Sequence, residues 1–532
     1  LDALWDLRAM SKYGNITSIS ESPQVEGLVY IGTDDGRVQV TEDGGATWRA
    51  EDVIGEVPTT SFVNDIKADR FDPDTVYVCL DNHKEGDFAP YVLKSTDRGR
   101  TWTSIASDLP EKHLIWRIEQ DHEAPGLLFL GTEFGVFTSL DAGGSWHKLK
   151  SGMPKIPVRD LAIQMRENDL VAATFGRGFY VLDDYSNMRV LSEELLEEEI
   201  VLLPVKDAQV YVVTDMLGGR VGSQGDQYFS TPNPDFGAVL RYHIAEGLKT
   251  SKAERKKAEK EADTEGEGVH YPGWDVLAEE RKEERPMVVF EIRDAAGALV
   301  RRLDGSSGKG MHRLVWDLRW TGTGTGSGGR GPLVEPGEYT AQAVRMQDGE
   351  NVAWGAPVSI GVYDLLDPAI PSMPRGELRA WLDEVGELDN VVSASLRLLD
   401  DAIDDVGSMK NAVRDGRVAP LELGDRVRAV ELELQDMRRA IAGDDLRTRY
   451  HHEGAPSIQG RLRNARWGGS SIHGPTTTMR QQVDIARGEF TTLHGELKTM
   501  LEETVPALKA ELDAAGVGWT SGRALPDLPE SE

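Results

Sequence analysis

A short motif that occurs three times in the first third of the chain restricts the fold more than any other feature. Each copy reads [Ser/Thr]-x-Asp-x-Gly-x-[Thr/Ser]-Trp, and the copies begin at Thr41, Ser95 and Ser139. A fourth copy at residues 176–184 has lost the glycine and the tryptophan. A period of about 45 residues with strand-like content is typical of a β-propeller, in which each repeat forms one four-stranded blade.

The third repeat predicts where the strands lie. Its innermost strand is expected at residues 114–119, and the next three at 127–130, 135–139 and 145–148. The motif then occupies the turn between the third and fourth strands. In such a turn the aspartate accepts backbone N–H bonds, the glycine allows a positive φ, and the tryptophan packs between blades. We therefore predict structural roles for Asp43, Trp48, Asp97, Trp102, Asp141 and Trp146.

The motif is identified as an Asp-box and resembles the repeat of sialidase-type propellers and of the sortilin/VPS10 luminal domain. The segments at 32–36, 131–135 and 174–178 resemble those of large bacterial BNR-repeat or sortilin-like glycosyl hydrolase proteins. The resemblance implies a small β-sandwich and a helical tail after the propeller. The chain departs from sortilin because it lacks the cysteine-rich module. Asp-box propellers generally have about six to ten blades, so further blades are expected before Leu1.

Patterns along the chain predict a multidomain, mainly β protein. We expect a partial Asp-box β-propeller of about four units at 1–190, then a connector at 191–236. Residues 201–213 of this connector are strand-rich and could pack on the propeller or begin the next domain. An immunoglobulin-like β-sandwich is expected at 237–366, with a charged insert at 249–285. An α-helical hairpin or bundle at 367–520 and a disordered tail at 521–532 complete the chain. The helical prediction rests on apolar stripes, such as Leu378, Val385, Val392, Leu399 and Val406 at seven-residue spacing. These stripes are expected to form the core of the bundle, and the alternative is that they bind a partner.

The charge and the cysteine content exclude several classes of function. The chain has 90 acidic and 59 basic side chains and a net charge of −31. Such a charge repels phosphates, so we expect neither nucleic-acid nor anionic-lipid binding. No apolar stretch is long enough to span a membrane. A single cysteine, Cys79, excludes a disulfide framework, and His451 and His452 lack a third ligand at helical spacing. We predict no metal and no cofactor.

In a propeller, the starts of the innermost strands and the loops after the second strands meet on the face opposite to the motif turns. Charged and aromatic groups that converge there indicate a binding site. The strand starts contribute Asn64, Asp65, Trp116, Arg117, Arg159 and Asp160, and the loops contribute Asp34, Asp35, His83, Glu133, Phe134 and Arg177. The predicted ligand-binding residues are Trp116, Arg117, Phe134, Arg159 and Arg177.

Two classes of function remain open, and the sequence favours the first. In that class the chain is an extracytoplasmic, non-catalytic propeller protein that binds peptides, proteins or glycans, and is a fragment of a larger sortilin-like protein with upstream blades. In the second it is a sialidase-like glycoside hydrolase, which needs carboxylates about 5–10 Å apart or a tyrosine nucleophile. Its candidate carboxylates are Asp65, Glu133 and Asp160, although no Arg-Ile-Pro signature is present. A third, weaker alternative is an assembly factor, and the resemblance implies a secreted or periplasmic location.

Overall fold

The fold is taken from a computed structural model. It describes residues 14–150, 152–211, 234–266, 268, 271–323, 330–367, 371–416, 420–452, 454–466 and 473–525. The chain divides into two compact units, residues 1–198 and 199–532. The first unit carries the repeated motif, and the second carries the remaining sheets and the long helices.

The first unit contains four antiparallel sheets, and in each one the strands follow in chain order. Three sheets have four strands and the last has three. The innermost strands of successive sheets lie side by side, as they do in the blades of a β-propeller. Blade 1 comprises β1 Ile16–Glu21, β2 Val29–Thr33, β3 Val38–Thr41 and β4 Arg49–Glu51; blade 2 comprises β5 Phe62–Ala68, β6 Val76–Asn82, β7 Asp87–Ser95 and β8 Thr103–Ser104; blade 3 comprises β9 Ile115–Gln120, β10 Leu128–Thr132, β11 Gly135–Ser139 and β12 His147–Lys148; blade 4 comprises β13 Val158–Gln164, β14 Asp169–Thr174 and β15 Phe179–Leu182.

Each copy of the motif closes the turn between the third and fourth strands of its blade with the same hydrogen bonds. In the first copy, the Thr47 amide and hydroxyl donate to the Asp43 carboxylate at 2.8 and 2.6 Å. The Thr41 hydroxyl donates to the same carboxylate at 2.9 Å and accepts from the Gly45 amide at 2.8 Å. Gly45 has a φ of +96°, which a side chain would disfavour. The copies at Asp97 and Asp141 repeat the pattern.

The tryptophan of the motif packs on the preceding blade wherever the described residues include one. Trp146 is 5% exposed, and its indole N–H donates to the carbonyl oxygen of Ile105 at 2.7 Å. Ile105 follows the last strand of blade 2. Trp102 also packs on the preceding blade, against the apolar core shared by blades 1 and 2, but its indole N–H makes no hydrogen bond with the described residues. Trp48 of blade 1 is 43% exposed.

Blade 4 ends after three strands because the chain then turns towards blade 3. A short 3₁₀ helix, Ser186–Val190, and helix α1, Glu193–Glu197, follow β15. Tyr185 is buried and donates its hydroxyl hydrogen to Asp121 of blade 3 at 2.6 Å. Within the described residues, no strand pairs with the outer edge of β15, where Phe179 and Val181 are exposed.

The second unit begins with two sheets that share apolar cores. β16, β18 and β21 form one sheet; β17, β26, β24, β19 and β20 form the other, with β25 added to β24. Tyr242 and Phe290, one from each sheet, lie with their ring centroids 4.7 Å apart. The strands are β16 Ile200–Leu202, β17 Ala208–Val210, β18 Ala238–Ile244, β19 Met287–Asp294, β20 Leu299–Gly305, β21 Gly310–Trp316, the pair β22 Arg319–Thr321 and β23 Arg330–Leu333, β24 Gly337–Gln347, β25 Glu350–Ala353 and β26 Val358–Asp364.

The boundaries of this layered region differ from the predicted ones. The strands at 200–202 and 208–210 fall within the segment predicted as a connector, yet they pair with β18 and β26. Strands in this segment agree with the strand-rich pattern of residues 201–213, but their partners could not be assigned from sequence because they lie far along the chain. An immunoglobulin-like topology stays a prediction.

The remaining elements of the second unit are helical. The charged insert forms α2, Ser251–Glu265, and α3, Trp274–Lys282. The C-terminal helices are α4 Arg375–Asp415, α5 Leu421–Ala442, α6 Asp445–Arg449, α7 Ile458–Arg466, α8 Thr477–Thr499 and α9 Val505–Ala514, with a π-helical turn at Met500–Thr504. The predicted stripe of α4 lies in their common core, where Val385, Leu399 and Val406 are fully buried. Among the described residues, no helix combines the length and the apolar character needed to cross a membrane.

Candidate functional site

The edge of the blades at which β1, β5, β9 and β13 begin is called the upper face, and the motif turns lie on the opposite, lower face. Each of these innermost strands carries a β-bulge near its start. A bulge inserts one residue and changes the direction of its side chain. The bulge residues, one per blade, are Thr17, Asn64, Trp116 and Arg159.

The bulge residues link each blade to the next. The Thr17 hydroxyl donates to the carbonyl oxygen of Val63 at 2.7 Å, and the Asn64 amide donates to that of Ile115 at 2.8 Å. Between blades 3 and 4 the link is a stacking contact. The guanidinium carbon of Arg159 lies 3.5 Å from the centroid of the Trp116 ring. The third link thus differs from the others because it joins a cation to an aromatic face.

Trp116 is enclosed on several sides. Its indole N–H donates to Glu133 at 3.1 Å, and the His83 ring meets it edge-on with a centroid separation of 6.1 Å. Phe175 lies 5.7 Å from the Arg159 guanidinium. Trp116 is only 8% exposed, whereas Arg159 is exposed and forms no ion pair with any described residue. The arrangement holds a charged, accessible guanidinium on a rigid aromatic support.

The residues that follow the bulges form a second series of contacts between blades. They are Ser18, Asp65, Arg117 and Asp160. The Ser18 hydroxyl and one Arg117 nitrogen, Nη1, donate to Asp65 at 3.2 and 3.0 Å. Arg117 Nε donates to Asp160 at 2.6 Å. Asp65 is 2% exposed and also accepts the Ile118 amide hydrogen at 3.1 Å. Burial raises the pKa of Asp65, and the positive charge of Arg117 opposes this effect.

All three candidate catalytic carboxylates are engaged by neighbouring side chains. Asp65 is buried and fully hydrogen-bonded, so a substrate cannot reach it. Asp160 is exposed but paired with Arg117, and Glu133 accepts from Trp116. A general acid or base must come within hydrogen-bond distance of its substrate. The geometry therefore leaves Glu133 and Asp160 as the accessible carboxylates.

Several predicted site residues lie away from this cluster. Asp34 accepts from the backbone amides of Gly14 and Asn15, and Asp35 accepts from the Thr33 hydroxyl. Both aspartates therefore close local loops of blade 1. Phe134 stacks on His113 with a centroid separation of 5.3 Å and is 44% exposed. Arg177 is exposed in the loop between β14 and β15.

Phe175 and His113 belong to the upper face but were not predicted. Phe175 follows Thr174 as Glu133 follows Thr132, so alignment of the loops after the second strands is the signal that identifies it. His113 is buried, with Nε2 2.9 Å from the Thr132 hydroxyl oxygen. Burial, with a smaller effect of Lys148, lowers the pKa of His113 to about 4. It is therefore neutral near neutral pH. The described residues contain no group of three or more His, Cys, Asp or Glu side chains placed to hold a metal ion.

Comparisons with known proteins find structural neighbours only. No protein-family model and no curated protein matches the chain. Among solved structures, "YCF48 bound to D1 peptide" is 18% identical over 32% of this chain and 51% of its own, with a TM-score of 0.26. YCF48 from Cyanidioschyzon merolae is 17% identical over 31% and 52%, with a TM-score of 0.23. The Cps50 (Swd1) β-propeller domain of Myceliophteria thermophila is 16% identical over 31% and 51%, with a TM-score of 0.25. The matched region spans about half of each neighbour, and these neighbours are β-propeller domains.

Proposed function

We propose that the upper face of the first unit is a non-catalytic ligand-binding surface centred on Trp116 and Arg159. The observation that carries this proposal is the exposed guanidinium of Arg159, which stacks on Trp116 without an acidic partner among the described residues. An arginine held in one orientation loses little conformational freedom when a ligand accepts its N–H bonds. Buried aromatic and arginine side chains also supply most of the affinity at protein interfaces.

The state of the carboxylates supports binding rather than catalysis. Hydrolysis of a glycosidic bond requires two carboxylates on either side of the bond, or the tyrosine arrangement of sialidases. Asp65 is enclosed by Ser18, Arg117 and Ile118, and Asp160 shares the guanidinium of Arg117. The ion pairs of Arg117 therefore engage two of the three candidate carboxylates, Asp65 and Asp160.

The location of the protein, its parent chain and its class of ligand are proposed from the repeated motif. Its resemblance to the Asp-box supports an extracytoplasmic protein, secreted or periplasmic, that belongs to a larger sortilin-like protein and takes a peptide, protein or glycan ligand. The 43% exposure of Trp48 supports a further blade as a neighbour, because the equivalent Trp146 is 5% exposed against blade 2.

The proposal is tested by binding of the purified chain to glycan and peptide arrays. Arg159→Ala is expected to weaken the observed binding at least about tenfold, as for a central interface arginine. The matched control is Arg166→Ala, which removes an 81%-exposed side chain from the lower face. Equal effects of the two substitutions would refute a site at Arg159.

A hydrolysis assay on the bound glycans tests the alternative function. We expect binding without turnover. Turnover that is abolished by Glu133→Gln or Asp160→Asn would establish a glycoside hydrolase instead, because these are the two accessible members of the three candidate carboxylates. An unchanged thermal midpoint of each variant would show that the loss is chemical rather than structural.

A further inference from the structure

Several cations of the first unit have no carboxylate partner among the described residues. All of its described arginines except Arg159 and Arg177 pair with a carboxylate. Lys67 pairs with Glu119, whereas Lys84, Lys94, Lys112, Lys148, Lys150 and Lys155 have no carboxylate partner among the described residues. Five of these cations, Arg159, Arg177, Lys148, Lys150 and Lys155, belong to blades 3 and 4 or to the segment that joins them, and they are called the upper cations.

The fold places the upper cations on one edge of two adjacent blades. Lys148 ends β12, and a Cβ atom built on Gly135 would lie 3.6 Å from its Cε. Burial and then the charges of Lys155 and Lys150 lower the pKa of Lys148. The three lysines are therefore close enough to repel one another. Arg159 lies near the start of β13, and Arg177 lies in the loop that follows β14.

The upper cations lie in a chain whose net charge is strongly negative. The protein has 90 acidic side chains and a net charge of −31, so carboxylates are abundant. Cations without a carboxylate partner repel each other, and a bound anion relieves that repulsion. Complementary charge also accelerates encounter with an anionic partner. The upper cations therefore favour the binding of a ligand that carries carboxylates.

We propose that the upper face binds an acidic segment of a polypeptide, an inference that rests on the binding function proposed for the same surface. Phe134 and Phe175, which are 44% and 69% exposed, lie on the same edge as the cations. These two rings offer apolar contacts to a peptide in which apolar side chains alternate with acidic ones. Trp116, which could otherwise support a sugar ring, is 8% exposed beneath Arg159. The overall negative charge disfavours denser polyanions such as nucleic acids.

The test uses a fluorescein-labelled octaglutamate peptide and the purified chain, with binding followed by fluorescence anisotropy. Octalysine and a neutral Gly-Ser octapeptide are the control probes. Only octaglutamate is expected to bind, and more weakly at 150 mM than at 50 mM salt because exposed charges are screened. Equal binding of the neutral peptide, or no effect of salt, would overturn the inference.

The lysines are tested with a charge-matched control. Combined Lys148→Ala, Lys150→Ala and Lys155→Ala should weaken octaglutamate binding about tenfold, since each exposed charge pair contributes a fraction of that effect. The control removes three exposed lysines of helix α2 in the second unit, Lys252→Ala, Lys256→Ala and Lys260→Ala. It changes net charge equally and should leave binding within about twofold. The charge-conserving variant Lys148→Arg, Lys150→Arg and Lys155→Arg should retain binding, which would show that the loss in the alanine variant comes from the missing charge.

The outcomes separate this inference from the function on which it rests. If octaglutamate does not bind while an array ligand binds in an Arg159-dependent manner, the acidic-peptide inference fails and the binding function stands. If a sulfated glycan binds more tightly than octaglutamate at the same lysines, the ligand class is wrong. If the two triple variants lose binding equally, the upper cations are not the site.

Discussion

Arg189 holds Asp121 with two hydrogen bonds, from Nε to Oδ2 and from Nη2 to Oδ1, each 2.8 Å long. Asp121 belongs to blade 3 and is fully buried, whereas Arg189 follows blade 4. Burial opposes ionisation of Asp121, but the bonds from Arg189 and Tyr185 dominate and hold its pKa at about 2. This ion pair attaches the end of the first unit to blade 3.

Arg189→Ala should destabilise the first unit by about 3–5 kcal/mol, because it leaves a buried carboxylate without its charged partner. Faster hydrogen–deuterium exchange in β9 and β10, measured by mass spectrometry, should reveal the loss. Arg166→Ala removes an exposed arginine and should change stability by less than about 0.5 kcal/mol. Unchanged exchange in Arg189→Ala would show that the pair does not stabilise blade 3.

Two tryptophans of the repeated motif should respond differently to the same substitution. Trp146→Ala should cost about 3–5 kcal/mol, since it empties a packed site and removes the bond to Ile105. Trp48→Ala should cost less than about 1 kcal/mol, because that side chain is 43% exposed. Urea unfolding of the two variants measures the difference. Equal costs would mean that Trp48 is packed in solution.

The motif aspartates should make folding sensitive to acid. The Thr47 hydroxyl and amide, followed by Thr41, lower the pKa of Asp43 to about 2. The folded pKa lies below the unfolded value, so this stabilisation is present above about pH 4 and is lost as the pH falls towards 2. Asp43→Asn should therefore lower the thermal midpoint at pH 7 but have little effect near pH 2.

Asp404→Asn on an exposed position of helix α4 is the control for this pH profile. It should leave the midpoint unchanged at both pH values. A difference between wild type and Asp43→Asn that stays constant from pH 7 to pH 2 would contradict a role for the ionised carboxylate.

Neighbouring leucines in helix α4 test the predicted core of the helical region. Leu399 is fully buried and Leu398 is 58% exposed. Leu399→Ala should cost about 2–5 kcal/mol, because it creates a cavity in the core. Leu398→Ala should change stability by less than about 0.5 kcal/mol. Thermal unfolding by circular dichroism at the helical band measures both, and a reversed order would show that the apolar stripe faces a partner instead.

The propeller blades could be predicted because the repeated motif is local. Eight residues specify the turn, its glycine and its tryptophan, and the spacing of the copies then positions the strands on either side. The stripe of helix α4 was predictable for the same reason, since helical periodicity relates residues only a few positions apart. The segment that contains Ala208–Val210 could be recognised as strand-rich, but its pairing could not be predicted, because its partner β26 lies about 150 residues later.

The candidate site was only partly predictable. Trp116 and Arg159 could be placed on one face because they occupy equivalent positions of two repeats. Their stacking depends on a β-bulge in each strand, and no local pattern in the sequence marks a bulge. The burial of Asp65 could not be predicted either. It results from contacts with Ser18 and Arg117, which come from two other blades.

The free edge of β15 has a consequence for how this protein meets other chains. The Thr174 amide bonds to the Gly178 carbonyl oxygen. Because bonded and non-bonded pairs alternate in an antiparallel ladder, the main-chain groups of Phe179 and Val181 point away from β14. Within the described residues no strand bonds to these groups, so blade 4 ends in a short row of unpaired amides and carbonyls. An exposed strand edge of this kind favours pairing with a strand of another polypeptide. The hydrogen bonds of that pairing come from main-chain groups and require no particular side chain.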